Sequence, residues 1–381
     1  MAEAGPTQYD GDFWGLYLAV EEPDRRMLQE HNLGDGNLYK IEEHKAIRKN
    51  QASFQVDDMS DVTEFIRAYR MGRPTPEWWR EHFDVDKYLS YRAVVDSIHH
   101  YDIAGGSNAL YFHNPTSGKF EVHPWDVDMT WSNRVYGTGR HAFRHQIAWN
   151  RSFRSDFQNR LRECCDLLFT PEQVDMLIDA YAAFIYTPGQ PSIVDADRAR
   201  WDYNPILTSR QIRFDHARHG QFYVSSRTRD FAGMVDRMKE YAMSRCQWIQ
   251  RQLLTNEDEI PQHPKILLVS DSPLTADNLR FSSSPFEDPT GASFSGIEWR
   301  LAEVTNPHSS GFDKRANRPK YEITTTWESG VLQHDGYNIV IPAASVVIER
   351  TYRVRARVRN ASSLWSHWSA PVQITVRATP E

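Results

Sequence analysis

The chain has 381 residues, a formal net charge of -7, 25% charged residues, 40% hydrophobic residues and 12 tryptophans. So much bulky apolar side chain excludes a disordered polymer, and the acidic balance argues against non-specific nucleic-acid binding, which needs a basic face. The length suits two or three domains, and no apolar run approaches the roughly 18 residues of a membrane span. Cys164, Cys165 and Cys246 show no metal-ligand spacing, so neither a disulfide scaffold nor a zinc site is expected.

In chain order, Phe13 to Val20 reads as a strand and Pro23 to His31 as a short helix with Pro23 and Asp24 in its first turn. Asn37 to Ile41 is a second strand, and Val62 to Met71 is a helix ended by Gly72. From Asp86 to Ile98, the residues Tyr88, Tyr91, Val95 and Ile98 recur at helical spacing, so this helix delivers Asp102 at its exit. Leu110 and Phe112 alternate with Tyr111 and His113, and Phe120 with Val122, which predicts a hairpin over Asn114-Pro115-Thr116-Ser117-Gly118.

Closing that hairpin brings Asp102 and Asn108, at its entrance, near Asp126 and Asp128, at its exit. Any one such residue is ordinarily a turn former. Four converging through one hairpin suit a hard cation such as Mg2+ carrying phosphate oxygens, and an Asp base followed by Asn and Asp metal ligands is the order used in protein kinases. His141 and His145 lie four apart, but no third ligand is evident.

Further along, 156–169, 171–185 and 233–254 carry helical apolar spacing, while 187–229 is irregular and proline-bearing. Residues 255–265 read as a linker. Beyond them come short strand candidates at Ile297 to Leu301, Tyr321 to Trp327, Thr351 to Val358 and Val372 to Val376, with one buried face each. Arg353, Arg355 and Arg357 alternate with Tyr352, Val354, Ala356 and Val358, and the arginine row is read as the solvent face, stacked on Trp365 or Trp368.

Trp14 to Glu21, Gly36-Asn37-Leu38-Tyr39-Lys40, Asp102 with Asn108, and Pro124-Trp125-Asp126-Val127-Asp128 together resemble the successive blocks of the spore coat protein H (CotH) kinase-like family, from about residue 9 to residue 250. The resemblance implies an α+β fold: an atypical protein-kinase-like domain at 1–254, with a partial small lobe and a mostly helical large lobe. It implies Asp102 as catalytic base, Asp126 as principal metal ligand assisted by Asn108 and Asp128, Lys40 on phosphate, Glu21 pairing with or orienting Lys40, and Trp125 beside the nucleotide. ATP with Mg2+ or Mn2+ would be the cofactors, and Ser or Thr hydroxyls of a secreted or surface protein the acceptors.

Few residues precede Gly15, so an N-terminally truncated domain is expected, and Met1 to Pro6 carry no export signal. An extracellular or cell-surface location is expected if the full gene supplies one. Residues 266–381 resemble a fibronectin type III-like all-β sandwich, on the strand Tyr352 to Val358, the loop Trp365-Ser366-His367-Trp368-Ser369 and the closing strand after Pro371. Such a module implies surface or envelope partners. Two alternatives remain: a non-catalytic surface or envelope protein with a degenerate kinase-like fold, and a hydrolase using Asp102 and Asp126 as a carboxylate pair, against which Asn108 and Lys40 argue.

Overall fold

The computed structural model describes residues 13–42, 45–100, 102–103, 106–128, 130–131, 143–201, 226–228, 230–306 and 319–379. The expectations for Met1 to Pro6, His141 and most of the irregular stretch fall outside them. Packing divides the chain into two compact units, one of 1–157 with 178–245 and one of 158–177 with 246–381. The sequence placed a linker at 255–265, whereas packing draws the second unit to begin within the helical region.

The first unit is organised by a four-stranded antiparallel sheet. It comprises β1 (Asn37–Glu42), β2 (Lys45–Asn50), β3 (Ala109–His113) and β4 (Phe120–Pro124), in the order β2-β1-β3-β4. The predicted hairpin is formed, with Tyr111 opposite Val122, and β1 lies beside it with Tyr39 opposite Tyr111. Alternation then gives each sheet face its own partners. Tyr39 and Tyr111 face an aromatic core, in which the Phe143 ring lies within 6.0 Å of Tyr69, Trp79, Phe83, Tyr88 and Tyr111. Tyr69, Trp79 and Tyr88 come from α2 (Ser60–Met71), α3 (Pro76–His82) and α4 (Val85–Ser97), and Phe83 directly follows α3.

On the other face, Leu38, Leu110 and Phe112 form a smaller cluster with Leu28 of α1 (Arg25–Glu30) and with Trp125. Asp24 caps α1 by accepting from the backbone N–H groups of Arg26 and Met27. Gly36 is required at the edge of this face, because a Cβ there would stand 2.5 Å from the His113 carbonyl oxygen and from the Phe112 ring.

Phe13 to Val20 is not a strand. The segment is extended but joins no ladder, and Tyr17, Leu18 and Val20 are exposed. A strand-like alternation cannot form a strand without a neighbouring edge to pair with. Conversely β2 was not foreseen, since Lys45-Ala46-Ile47-Arg48-Lys49-Asn50 is a polar edge strand whose fold comes from pairing with β1.

Four further helices are described: α5 (Arg154–Leu167), α6 (Pro171–Ala182), α7 (Ile193–Trp201) and α8 (Phe231–Gln252). α7 lies within the stretch read as irregular. Cys165 and Cys246 are joined by a disulfide, contrary to the expectation of none. An odd count and an adjacent pair in sequence hid a partner 81 residues away.

In the second unit a three-stranded sheet, β5 (Ile266–Leu268), β6 (Arg280–Ser283) and β9 (Asn338–Val340), shares one core with a four-stranded sheet. The latter comprises β7 (Phe294–Glu303), β8 (Trp327–Leu332), β10 (Thr351–Asn360) and β11 (Val372–Thr375), in the order β11-β10-β7-β8. Ile266, Phe281, Trp299, Val354 and Ile374 meet in that core. Of the candidate Tyr321 to Trp327, only Trp327 joins a strand, β8, and Tyr321 to Thr326 lie in turns and bends before it.

The arginine row is not a wet face. Arg353 and Arg355 are buried, and both donate to Glu322, which is 1% exposed. Arg353 also pairs with Glu172 of α6. The stacking expectation holds, with Arg357 between Trp365 at 4.5 Å and Trp368 at 4.4 Å. Alternation identifies the two faces of β10 but not what covers the second one. The cover is supplied by the tryptophan loop and by the helical residues 158–177.

Candidate functional site

The site is built at the C-terminal exit of α4 and the open end of the β3-β4 hairpin. α4 ends at a residue in the left-handed region, His99 with φ 55°, and the next N–H, that of His100, returns to the Val95 carbonyl at 2.8 Å. Two more carbonyls at this helix end are also taken. Arg245 of α8 donates to the Asp96 oxygen at 2.8 and 2.6 Å, and the Trp131 N–H donates to the Ile98 oxygen at 2.8 Å. The Trp131 bond ties the segment after β4 to the segment that carries Asp102.

Asn108 is held against Asp102. Its Nδ2 donates to the Asp102 backbone oxygen at 2.7 Å and to Oδ2 at 3.1 Å, which turns the carboxamide oxygen to the other side. Asn108 and Asp126 both have φ 53°, a left-handed conformation that Asn and Asp tolerate better than other side chains carrying a Cβ. Two such residues, one at the entrance and one at the exit of the hairpin, splay the chain outward after the ladder stops. Asp102 and Asn108 are half-buried, whereas Asp126 and Asp128 are exposed.

Beside these residues is one that the sequence motifs do not single out. His100 is 2% exposed, and neither ring nitrogen has a well-formed hydrogen bond. Burial pushes its pKa below the ordinary value, outweighing the carboxylates of Asp102, Asp128 and Asp126 and the backbone of Asn108, all of which favour the charged ring. The three aspartates are all near enough to favour charge on the ring. The short spacing from His100 to Asp102 is the signal in the sequence, and it acts because His99 has ended the helix.

Lys40 and Trp125 share the face of the sheet that leads into this end. Lys40 pairs with Leu110, so its Cα lies about 5 Å across and about 7 Å along the strands from Asn108. Trp125 packs on Leu38, Leu110 and Phe112. The expected pairing of Glu21 with Lys40 is not formed: Glu21 Oε2 meets His31 Nε2 at 2.9 Å, and Lys40 Nζ meets Glu42 Oε1 at 2.6 Å. His123 belongs to the same face and stands 3.5 Å from Glu121, a buried carboxylate. Although burial alone would raise the Glu121 pKa, hydrogen bonds from His123, Asn114 and Lys87 pull it down to about 2.

The donor set is hard oxygen: exposed carboxylates at Asp126 and Asp128 and a carboxamide oxygen at Asn108. Among the described residues no three His, Cys, Asp or Glu side chains form a metal cage. Mg2+ does not require one, because it is usually held by one or two carboxylates together with substrate phosphates and water. The residues present therefore fit that ion.

The family model described as CotH kinase protein matches residues 7–249. This chain belongs to the CotH kinase protein family. Inner spore coat protein H of Bacillus subtilis (strain 168) is 27% identical to it over 209 residues, covering 47% of this chain and 57% of that protein. The chain thus spans a little over half the length of this curated relative. Asp102, Asn108, Lys40 and the Trp125 to Asp128 turn all lie within the CotH match. The β strands of the second unit follow it.

Proposed function

We propose that the CotH domain transfers the terminal phosphoryl group of ATP to a Ser or Thr hydroxyl of a protein. The observation that carries the reading is Asn108 holding Asp102 at the entrance of the hairpin whose exit carries Asp126 and Asp128, with Lys40 on the sheet face leading to them. Phosphoryl transfer needs little covalent chemistry from the protein and much positioning and charge neutralisation. Asp126, Asp128 and the Asn108 oxygen would hold Mg2+ or Mn2+, which when bound neutralises triphosphate charge. Asp102, steadied by the Asn108 amide, accepts the proton of the acceptor hydroxyl. Lys40 meets phosphate oxygens, and Trp125 offers its ring beside the nucleotide.

Full-length protein incubated with Mg2+, labelled ATP and a Ser/Thr-rich acceptor protein tests the reading. Transfer above a no-protein control is expected, and its absence with both Mg2+ and Mn2+ would defeat it.

The name of the Bacillus subtilis relative assigns that protein to the inner spore coat. We extend to this chain a coat, secreted or cell-surface setting. Among the described residues no helix is long and apolar enough to cross a membrane. We read the second unit as a fibronectin type III-like sandwich, supported by its three- and four-stranded sheets around one core. A second reading, a non-catalytic envelope protein that uses its surfaces for binding, draws support from the strands that follow the CotH match.

A further inference from the structure

We propose that Glu42 is the positioning residue for Lys40, a role that sequence reasoning gave to Glu21. The inference rests on the phosphotransfer reading and adds a residue to it. Lys40 and Glu42 are two apart on β1, so both side chains leave the same face of the sheet. Their charged ends meet at 2.6 Å, with the Lys40 side chain 19% exposed and Glu42 47% exposed. The Lys40 stem is thus laid along the face that carries Leu38 and Leu110, and only its end is led outward by the carboxylate.

Direction follows from the register. Asn37 to Lys40 pair with His113 to Leu110, in that order. β1 runs on from there to Glu42 while β3 begins at Ala109, so Glu42 lies at the same end of the sheet as Asn108, the residue that holds Asp102. Glu42 therefore draws the ammonium along β1 toward the end of the sheet where the three aspartates gather. Without it, a four-carbon side chain with three rotatable donors has no fixed direction on that face. Glu21 is engaged with His31. Lys49 also favours the charged form of Glu42, after Lys40 itself, whose hydrogen bond and charge hold the Glu42 pKa below the ordinary value.

An ion pair as open as this adds little to fold stability. Replacing Glu42 therefore leaves the sheet folded, and a kinetic change reports the position of Lys40 rather than unfolding. Glu42→Gln is expected to raise the KM for ATP about tenfold while changing kcat less, with Glu42→Asp partly restoring it and Glu21→Gln having no effect. A second readout needs no turnover: mass-spectrometric labelling of Lys40 by an amine-reactive ester should rise in Glu42→Gln and stay at the wild-type level in Glu21→Gln.

Equal Lys40 labelling in wild type and Glu42→Gln would overturn the proposal, as would an unchanged KM in an active Glu42→Gln enzyme. Wild-type protein that neither transfers phosphate nor binds Mg-ATP defeats the phosphotransfer reading instead. In that case the labelling result still decides whether Glu42 holds Lys40.

Discussion

His367 offers a sharp test of how the second unit is held together. Its Nδ1 meets Asp166 of α5 at 2.8 Å and its Nε2 meets Glu257 at 2.7 Å, while Glu257 also pairs with Arg162. Burial opposes charge on the ring, but Asp166 and Glu257 overcome it and raise the pKa to about 9 from an ordinary 6.5. At ~1.4 kcal/mol per pKa unit the difference amounts to ~3 kcal/mol, and the partial exposure of the side chain makes this an upper value. The folded pKa is raised, so this stabilisation is fully present below about pH 6.5 and is lost as pH rises through about 9.

Substituting His367→Gln keeps a hydrogen-bonding side chain and removes the titration. Urea unfolding of the full chain, followed by tryptophan fluorescence, should find the variant less stable than wild type by ~2 to 3 kcal/mol near neutral pH. The gap should narrow to under about 1 kcal/mol near pH 10, where the wild-type ring is largely neutral. A gap that stays constant across this range, or widens with pH, would refute the ion-triad account of the loop.

Glu322→Gln should cost ~3 to 5 kcal/mol in urea unfolding, because it leaves Arg353 and Arg355 buried without their shared carboxylate; a loss under about 1 kcal/mol would mean that water replaces it. Gly36→Ala should destabilise by ~1 to 3 kcal/mol, since the new Cβ meets the His113 carbonyl oxygen at 2.5 Å. Glu121 has a depressed folded pKa of about 2, so its contribution is present above about pH 4.5 and fades as pH falls through about 2. Glu121→Gln should therefore be destabilised at neutral pH and approach wild type in acid, as followed by circular dichroism across a pH series.

Much of the first unit was legible because its signals are local. The α4 periodicity, the hairpin turn at Asn114 to Gly118 and the β1 alternation each depend on neighbours a few residues away, and all three elements form. What was missed depends on partners distant in sequence. Phe13 to Val20 has a strand pattern and no partner, whereas β2 has a polar sequence and a good one. Arg353 and Arg355 alternate as a solvent face would, yet Glu322 and Glu172 cover them.

The site was legible in the same uneven way. Asp102, Asn108 and Asp126 stand out in the sequence because turn residues at both ends of a hairpin come together when it closes, and Asn108 does hold Asp102. The partner of Lys40 could not, because Glu21 and Glu42 both lie at the end of an apolar run and only the register of β1 separates them. His100 was passed over because its importance comes from burial, which the order His99-His100-Tyr101 does not express.

Calorimetric titration of Mg-ATP into wild type, Asp102→Asn and Asp126→Asn, run beside a phosphotransfer assay, addresses the assignment of roles most directly. Asp126→Asn should lose binding and transfer together, while Asp102→Asn should bind Mg-ATP as wild type does and lose transfer by about a hundredfold or more. Transfer that survives in Asp102→Asn, or Mg-ATP heat unchanged in Asp126→Asn, would contradict the site described for this CotH domain.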